Sequence, residues 1–258
     1  MAQDLLSLKT GETEKFNNKG ERKKMKALAI DCAVSRLTIA AKNEGKTCTC
    51  IYDIGMKQSE ILVPSIEYVL SKVDLTSANL DYTVLTEGPG SFTGLRLGFS
   101  ALKAIELAYN IPVYGISSLK AYEYSFAGLG LPIVTGIDAN KDKFFARISD
   151  KYGNELLKDG DYEIEQIANE LKDFNTIIAA GPDGFKLKKS LEENYPSQTN
   201  TLNIIIPGTS QCTTDALFTL AEKHITAGKP SLKDYDGPVY LRESEAETVL
   251  KKKLAENA

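Results

Sequence analysis

Thr86–Glu87–Gly88–Pro89–Gly90–Ser91–Phe92–Thr93–Gly94–Leu95–Arg96–Leu97–Gly98 decides how the rest of the chain is read. Before it, Tyr82–Leu85 is a short apolar run that predicts a buried strand. After it, Leu95, Leu97, Phe99, Leu102, Ile105 and Leu107 predict a well-buried helix. The stretch is therefore a strand, a glycine-rich turn and a helix. Gly88 and Gly90 allow backbone conformations that a Cβ disfavours, and Ser91 or Thr93 is placed to cap the first helical turn. Two readings of the turn stay open. A helix start that gathers backbone donors suits an anion, whereas a tight turn with structural glycines needs no ligand. No Lys–Ser/Thr pair follows the glycines, so the turn is not a P-loop. Gly94, Gly98, Ala101 and Ile105 share one helical face. Glycine in a helix costs about 1 kcal/mol against alanine, and this face implies close approach of a neighbouring helix or of another subunit.

Outward from this stretch, the chain divides into two similar halves. Lys26 to Asp31, Leu37 to Lys42 and Cys48 to Tyr52 read as strands. Residues 59–73 read as a helix with Leu62, Ile66, Val69 and Val73 on one stripe, and Pro64 in it is expected near the first turn. Ile61, Ser65, Tyr68 and Lys72 form a second face of this helix, a candidate contact surface. A strand at Pro112–Ile116 and a helix from Ser117 or Ser118 to about Phe126 follow. The order then recurs. Ile137–Asp138 and Phe144–Arg147 echo Ile30–Asp31 and Leu37–Ala40, and a strand at Asn154–Leu157 and a helix at Glu163–Leu171 come next. Strand Thr176–Ala180 runs into Gly181–Pro182–Asp183–Gly184–Phe185, an echo of Gly88–Pro89–Gly90–Ser91–Phe92. A helix to about Leu191, a strand at Asn203–Ile206 and a helix at Thr214–Ala227 complete the second copy. Two copies of β-β-β-α-β-α-β-α predict a duplicated α/β fold with mixed sheets. The expected division is an arm at 1–24, a first lobe at 25–128, a second lobe at 129–242 and a charged tail at 243–258.

Composition bounds the function. The net charge is −4, which gives no general pull toward nucleic acid. No apolar run reaches membrane-spanning length. Cys32, Cys48, Cys50 and Cys212 lack disulfide or zinc spacing and read as reduced thiols in a cytoplasmic protein. Residues 1–24 are polar, end in Glu21–Arg22–Lys23–Lys24, and lack the apolar core of a signal peptide. Met25 directly before the first strand is therefore a second candidate start. The single histidine, His224, lies on the stripe of Leu217, Leu220 and Ala221 and reads as a boundary residue. With no second histidine there is no zinc-peptidase helix motif, and no G-x-S-x-G elbow accompanies a serine. Neither a catalytic residue nor a metal ligand is assigned.

Gly88–Pro89–Gly90–Ser91–Phe92–Thr93–Gly94–Leu95–Arg96 followed by Gly98 resembles the signature of the TsaB (YeaZ) family, bacterial actin-like proteins related to the glycoprotease group. Met25–Asp31, Ser59–Pro64, Ile111–Leu119 and Pro238–Arg242 resemble further family segments, so the likeness spans about residues 25 to 242. It implies a duplicated actin-like (ASKHA, ribonuclease H-like) fold of two lobes. It also implies a non-catalytic scaffold for TsaD, which transfers threonylcarbamoyl to an adenosine of tRNA, with the TsaE ATPase joining the assembly. The first-lobe helices would form the homodimer when the chain is alone and the TsaD contact in the complex. They carry Ile61, Ser65, Tyr68, Gly94, Leu95, Gly98, Ala101 and Ile105. Direct tRNA contact would be weak or indirect, and no membrane is involved. In the actin class an Asp at each first-hairpin turn supports metal-bound phosphates, and Asp31 and Asp138 occupy those places. The turn beside Asp31 departs from the pattern, since Cys32 and Ala33 stand where a small hydroxyl is usual, and Gln58 replaces a histidine common in the family. No resident cofactor is expected, with ATP or ADP and magnesium confined to the assembled complex. The competing class is an enzyme in its own right, either an actin-like ATPase using Asp31 and Asp138 or a glycoprotease-type peptidase.

Overall fold

The structure is a computed structural model that describes residues 24–208 and 212–242. Nearly all of the expected arm and the whole of the 243–258 tail lie outside the described residues. Strands β1 (Ala27–Asp31), β2 (Arg36–Asn43) and β3 (Lys46–Asp53) lead into α1 (Gln58–Lys72). Then come β4 (Tyr82–Gly88), α2 (Phe92–Tyr109), β5 (Val113–Ser117) and α3 (Ser118–Tyr124). The second copy is β6 (Ile133–Asp138), β7 (Lys143–Ser149), β8 (Glu155–Glu163), α4 (Ile164–Leu171), β9 (Thr176–Ala180), α5 (Gly184–Asn194), the short α6 (Pro196–Thr199), β10 (Asn203–Ile205) and α7 (Thr214–Thr226). Each copy builds one five-stranded sheet. The orders are β3-β2-β1-β4-β5 and β8-β7-β6-β9-β10, the same topology twice. In each, the hairpin strands pair antiparallel and the remaining pairs are parallel. This is the duplicated, actin-like α/β architecture.

The strand alternation decides what each face buries. Leu28 and Ile30 of β1 and Leu37 and Ile39 of β2 meet Leu62, Ile66, Val69 and Val73 of the α1 side and Phe99 and Leu102 of α2. Each fully buried side chain of this kind contributes about 1.5–3 kcal/mol. Ala27, Ala29, Tyr82 and Val84 point the other way, onto Leu217, Phe218, Leu220 and Ala221 of α7. In the second lobe α4 and α5 cover Val134, Phe144, Ala146 and Ile148. The opposite face receives α3, whose Leu119 and Tyr122 pack with Ile137 and Phe145.

The last helix of each half thus serves the sheet of the other. The linear division at 128/129 expected from the sequence is crossed twice, because each sheet has a second apolar face that its own helices leave uncovered. Two local expectations also shift. Pro64 lies inside α1 and not in its first turn; its side is exposed, where the missing N–H is least disruptive. Strand β8 runs on through Gly160 to Glu163, because β7 offers a pairing partner as far as Lys143, and Gly160 leaves the space that the Tyr162 ring fills.

Candidate functional site

The glycine-rich turn between β4 and α2 is filled by the protein's own backbone. Gly88 has φ +124°, and a Cβ there would collide with the carbonyl oxygen of Val239. At Gly90 the Cβ would strike the carbonyl of Ala33, and at Gly94 that of Cys32. Ser91 N donates to Ala33 O at 2.6 Å, and Ser91 Oγ accepts from Gly94 N at 3.2 Å as the helix cap. Two backbone donors of this turn, Ser91 N and Gly94 N, are therefore engaged internally. Of the two readings the sequence left open, the structure supports the structural turn: the glycines admit the β1–β2 turn on one side and residues 238–242 on the other.

Asp31 sits beneath this turn, 3% exposed. Its Oδ1 accepts from Ala33 N at 3.0 Å and Thr86 Oγ1 at 3.0 Å. Its Oδ2 accepts from Thr213 Oγ1 at 2.5 Å and Tyr122 Oη at 3.4 Å. Thr213 immediately precedes α7, so the carboxylate lies against the start of that helix, where negative charge is favoured. Burial and, after it, the Asp31 charge push the Tyr122 phenol well above its usual range, which keeps it a donor. The same two causes, in the same order, push the Cys32 thiol up, so it is held protonated. Asp31 joins β1, β4, α3 and the start of α7, with both carboxylate oxygens accepting hydrogen bonds inside the protein.

Asp138 does reach the cleft between the lobes, a space of about 1290 Å³ lined from both sides. There it accepts from Lys186 Nζ at 2.5 Å and from Asn140 N at 3.0 Å. Asp183 beside it accepts from the Asp138 N–H at 2.8 Å, and burial pushes its carboxyl up. Among the described residues no three His, Cys, Asp or Glu side chains converge in metal-binding geometry. His224 is half-buried at the edge of α7, near Lys229 Nζ at 3.4 Å, with burial first and that lysine second lowering its pKa.

Two features escaped the sequence reading. The first is Arg147, 8% exposed on the α3 side of β7. It donates to Glu123, to Glu155 at 2.6 Å and to Asp159 at 3.0 Å, while Asp159 also accepts from Ser117. Burial opposes the Arg147 charge, yet Glu123 and Asp159 hold its pKa above the ordinary value. The alternation Phe145, Arg147, Ser149 carried the signal: a cation on a strand face opposite Phe144, Ala146 and Ile148. The second is the role of Pro238–Arg242, a segment that the sequence offered only as part of the family likeness. Tyr240 stacks on Phe92 at 4.0 Å and accepts from Arg96 Nε at 3.0 Å.

The expected contact surface also moves. Gly94, Leu95 and Gly98 are buried within their own lobe, and a Cβ at Gly98 would touch Cys32 Sγ at 3.5 Å and Ile30. Ser65 is buried too, donating to Tyr52 Oη at 2.9 Å, so the Ile61–Ser65–Tyr68 face is split, with Ser65 inside against β3 and Tyr68 half exposed. The small-residue stripe is internal packing because α2 must lie close against β1 and its turn. What α2 presents outward is Ser100, Ala104, Leu107 and Ala108, flanked by half-buried Leu97, Ala101 and Ile105. Leu107 is 90% exposed and Tyr109 50%. Arg96 lies at the start of this surface, and the partly exposed Lys103–Glu106 ion pair, at 2.7 Å, borders it beside Leu107. Helix α1, packed beside α2, carries exposed apolar side chains of its own, Val63 at 58% exposure and Tyr68 at 50%. Gly98→Leu is accordingly expected to lower the folding stability of the monomer by about 1–3 kcal/mol through overpacking, read as a lower urea midpoint.

A duplicated actin-like fold with an internally filled glycine turn and an apolar outer helix face is the class these features define. The family model described as TsaD, tRNA N6-adenosine threonylcarbamoyltransferase, matches residues 55–222. The chain is 30% identical over 139 residues to the tRNA threonylcarbamoyladenosine biosynthesis protein TsaB of Bacillus subtilis, covering 52% of this chain and 58% of that protein. It is 26% identical over 95 residues to the TsaB of Escherichia coli, covering 37% and 41%. These matches span about half the length of the curated relatives. A solved structure of YeaZ from Pseudomonas aeruginosa superposes with a TM-score of 0.66 at 18% identity, over 84% of this chain and all of that one, a likeness of fold. The chain belongs to the TsaB (YeaZ) family, within the group that the TsaD model describes. Among the described residues no helix is long and apolar enough to cross a membrane.

Proposed function

We propose that this chain is a non-catalytic subunit of the assembly that forms threonylcarbamoyladenosine in tRNA, and that it docks onto a TsaD-type transferase through the outer face of α2 and the adjoining side of α1. The observation that carries this reading is the uncharged surface of Ser100, Ala104, Leu107 and Ala108, with Leu107 almost wholly exposed. Contiguous apolar surface of this kind marks interaction sites, and small residues let a second helix approach closely. The names of the curated relatives, biosynthesis proteins of this modified nucleoside, supply the pathway. The transferase in this reading provides the reacting groups. Asp31, bound up in internal hydrogen bonds, serves the fold. The same helix face pairs with a second copy when the chain is alone, and a TsaE-type ATPase, with ATP or ADP and magnesium, joins once the pair has formed. With a net charge of −4, this subunit leaves most of the tRNA phosphate contact to its partners.

The test is to mix the purified chain with the TsaD-type paralogue of the same cell and to measure mass by light scattering after size exclusion. A one-to-one complex is expected. Leu107→Glu should weaken it at least about tenfold, because a charge would be buried in the contact. The monomer's thermal midpoint should hardly move, since the residue is exposed. Absence of a complex for the unaltered chain, with or without the ATPase and ATP, would overturn the reading.

A further inference from the structure

The last described residues, Pro238–Arg242, cross the mouth of the cleft and bind both lobes. On the first lobe Val239 N donates to Glu87 O at 2.7 Å, and the Val239 carbonyl fills the space beside Gly88. Tyr240 lies on the Phe92 ring at an interplanar angle of 16°, with the Arg96 guanidinium 4.3 Å from the centre of that ring. Two residues later the contacts belong to the second lobe. Arg242 donates to both carboxylate oxygens of Asp161 at 2.8 Å and to Ala139 O at 2.5 Å, and its guanidinium lies 5.7 Å from the centre of the Phe145 ring. Bidentate arginine–carboxylate pairs are strong and directional. The Arg242 and Asp161 side chains are 32% and 18% exposed, so this one is partly shielded from solvent.

We propose that Pro238–Arg242 is a latch that fixes the angle between the lobes and ties the β6–β7 turn of the second lobe to the first turn of α2. The geometry assigns its two ends: the Tyr240–Phe92–Arg96 stack on the first lobe, the Arg242–Asp161 fork on the second. Tyr240 and Arg242 are separated by a single residue, so at most about 7 Å of backbone joins their two seats, and one end cannot stay seated if the lobes swing apart. Opening the cleft therefore unseats Tyr240 or Arg242, and unseating either frees the cleft to open. The latch does not rest on the docking reading of α2, and it is tested on the chain alone.

The measurement is native-state amide exchange, followed at Ser91–Gly94 on the first lobe and at Ala139–Lys143 on the second, in Tyr240→Ala and Arg242→Ala. Each change is expected to raise exchange roughly tenfold at the far lobe as well as at its own, as loss of a local charge-assisted or stacked contact would. Asp161→Ala should match Arg242→Ala, and the double variant should exceed neither. If each substitution speeds exchange only on the lobe it touches, or if the Asp161 and Arg242 effects multiply, there is no latch. Should Arg242→Ala fail to fold by circular dichroism, Arg242→Lys keeps the charge without the fork and is expected to show a smaller rise at the same two segments. No rise at Ser91–Gly94 in that variant would also overturn the proposal.

Discussion

Asp31→Ala is expected to lower folding stability by about 3–5 kcal/mol, measured as the shift in a urea unfolding curve. The truncation strands the Thr86, Tyr122 and Thr213 hydroxyls and the Ala33 N–H, which all donate to this one carboxylate. Leaving buried donors unmatched costs about 1–3 kcal/mol for each that finds no water, and a chain of this size has only some 5–15 kcal/mol to lose. Asp31→Asn keeps the shape and one acceptor oxygen but sets an amide N–H₂ against donors. Its expected loss is smaller, about 1–3 kcal/mol. A stable Asp31→Ala protein would mean that the hydrogen bonds around Asp31 contribute little, and would return the residue to the ligand-handling class.

Arg147→Met is expected to lose about 3 kcal/mol at neutral pH and to recover part of it on acidification. Methionine fits the apolar stem of the arginine but leaves Glu123, Glu155 and Asp159 facing one another without a cation. Breaking a buried ion pair by removing one partner is strongly destabilising for this reason. Without the guanidinium the three carboxylates repel one another in the folded state, and their protonation in acid relieves that repulsion. Thermal midpoints from pH 4 to 8 should therefore converge with those of the unaltered protein toward the acid end. A deficit that stays constant across that range would mean that packing around the stem, and not charge, is what Arg147 supplies.

Much of the fold was legible because local signals and tertiary demands agree. The stripe Leu62, Ile66, Val69, Val73 faces the core, Ser91 caps α2, and the repeated element order appears as two sheets of one topology. The site was less legible, for a definite reason. Gly88, Gly90, Gly94 and Gly98 announce close approach, but a glycine does not say what approaches. The partners are the Val239 carbonyl, the β1–β2 turn and the Cys32 side chain, of which Val239 is far away along the chain. A helical stripe of small residues looks the same whether it meets a second molecule or the molecule's own strand. The outward stripe Ser100, Ala104, Leu107 is offset from it by about one residue's turn, roughly 100°, and the two compete for the same pattern. Asp31 likewise reads as a strand-end aspartate, and only the placement of Thr86, Tyr122 and Thr213 around it turns it into a buried knot.

The exchange of α3 and α7 between the sheets bears on how the chain comes to be folded. Tyr82, Val84 and the alanines of β1 are among the earlier segments to leave a ribosome, yet the residues that cover them, Leu217 to Ala221, are among the later ones. Until then half of the first sheet stands as bare apolar surface, and no separately made half could close its own core. Contacts of such long sequence separation slow folding and expose an incomplete chain to aggregation. A fragment ending near residue 128 would be expected to need help from chaperones or to precipitate. The first sheet is covered on both faces only once α7 has returned to it.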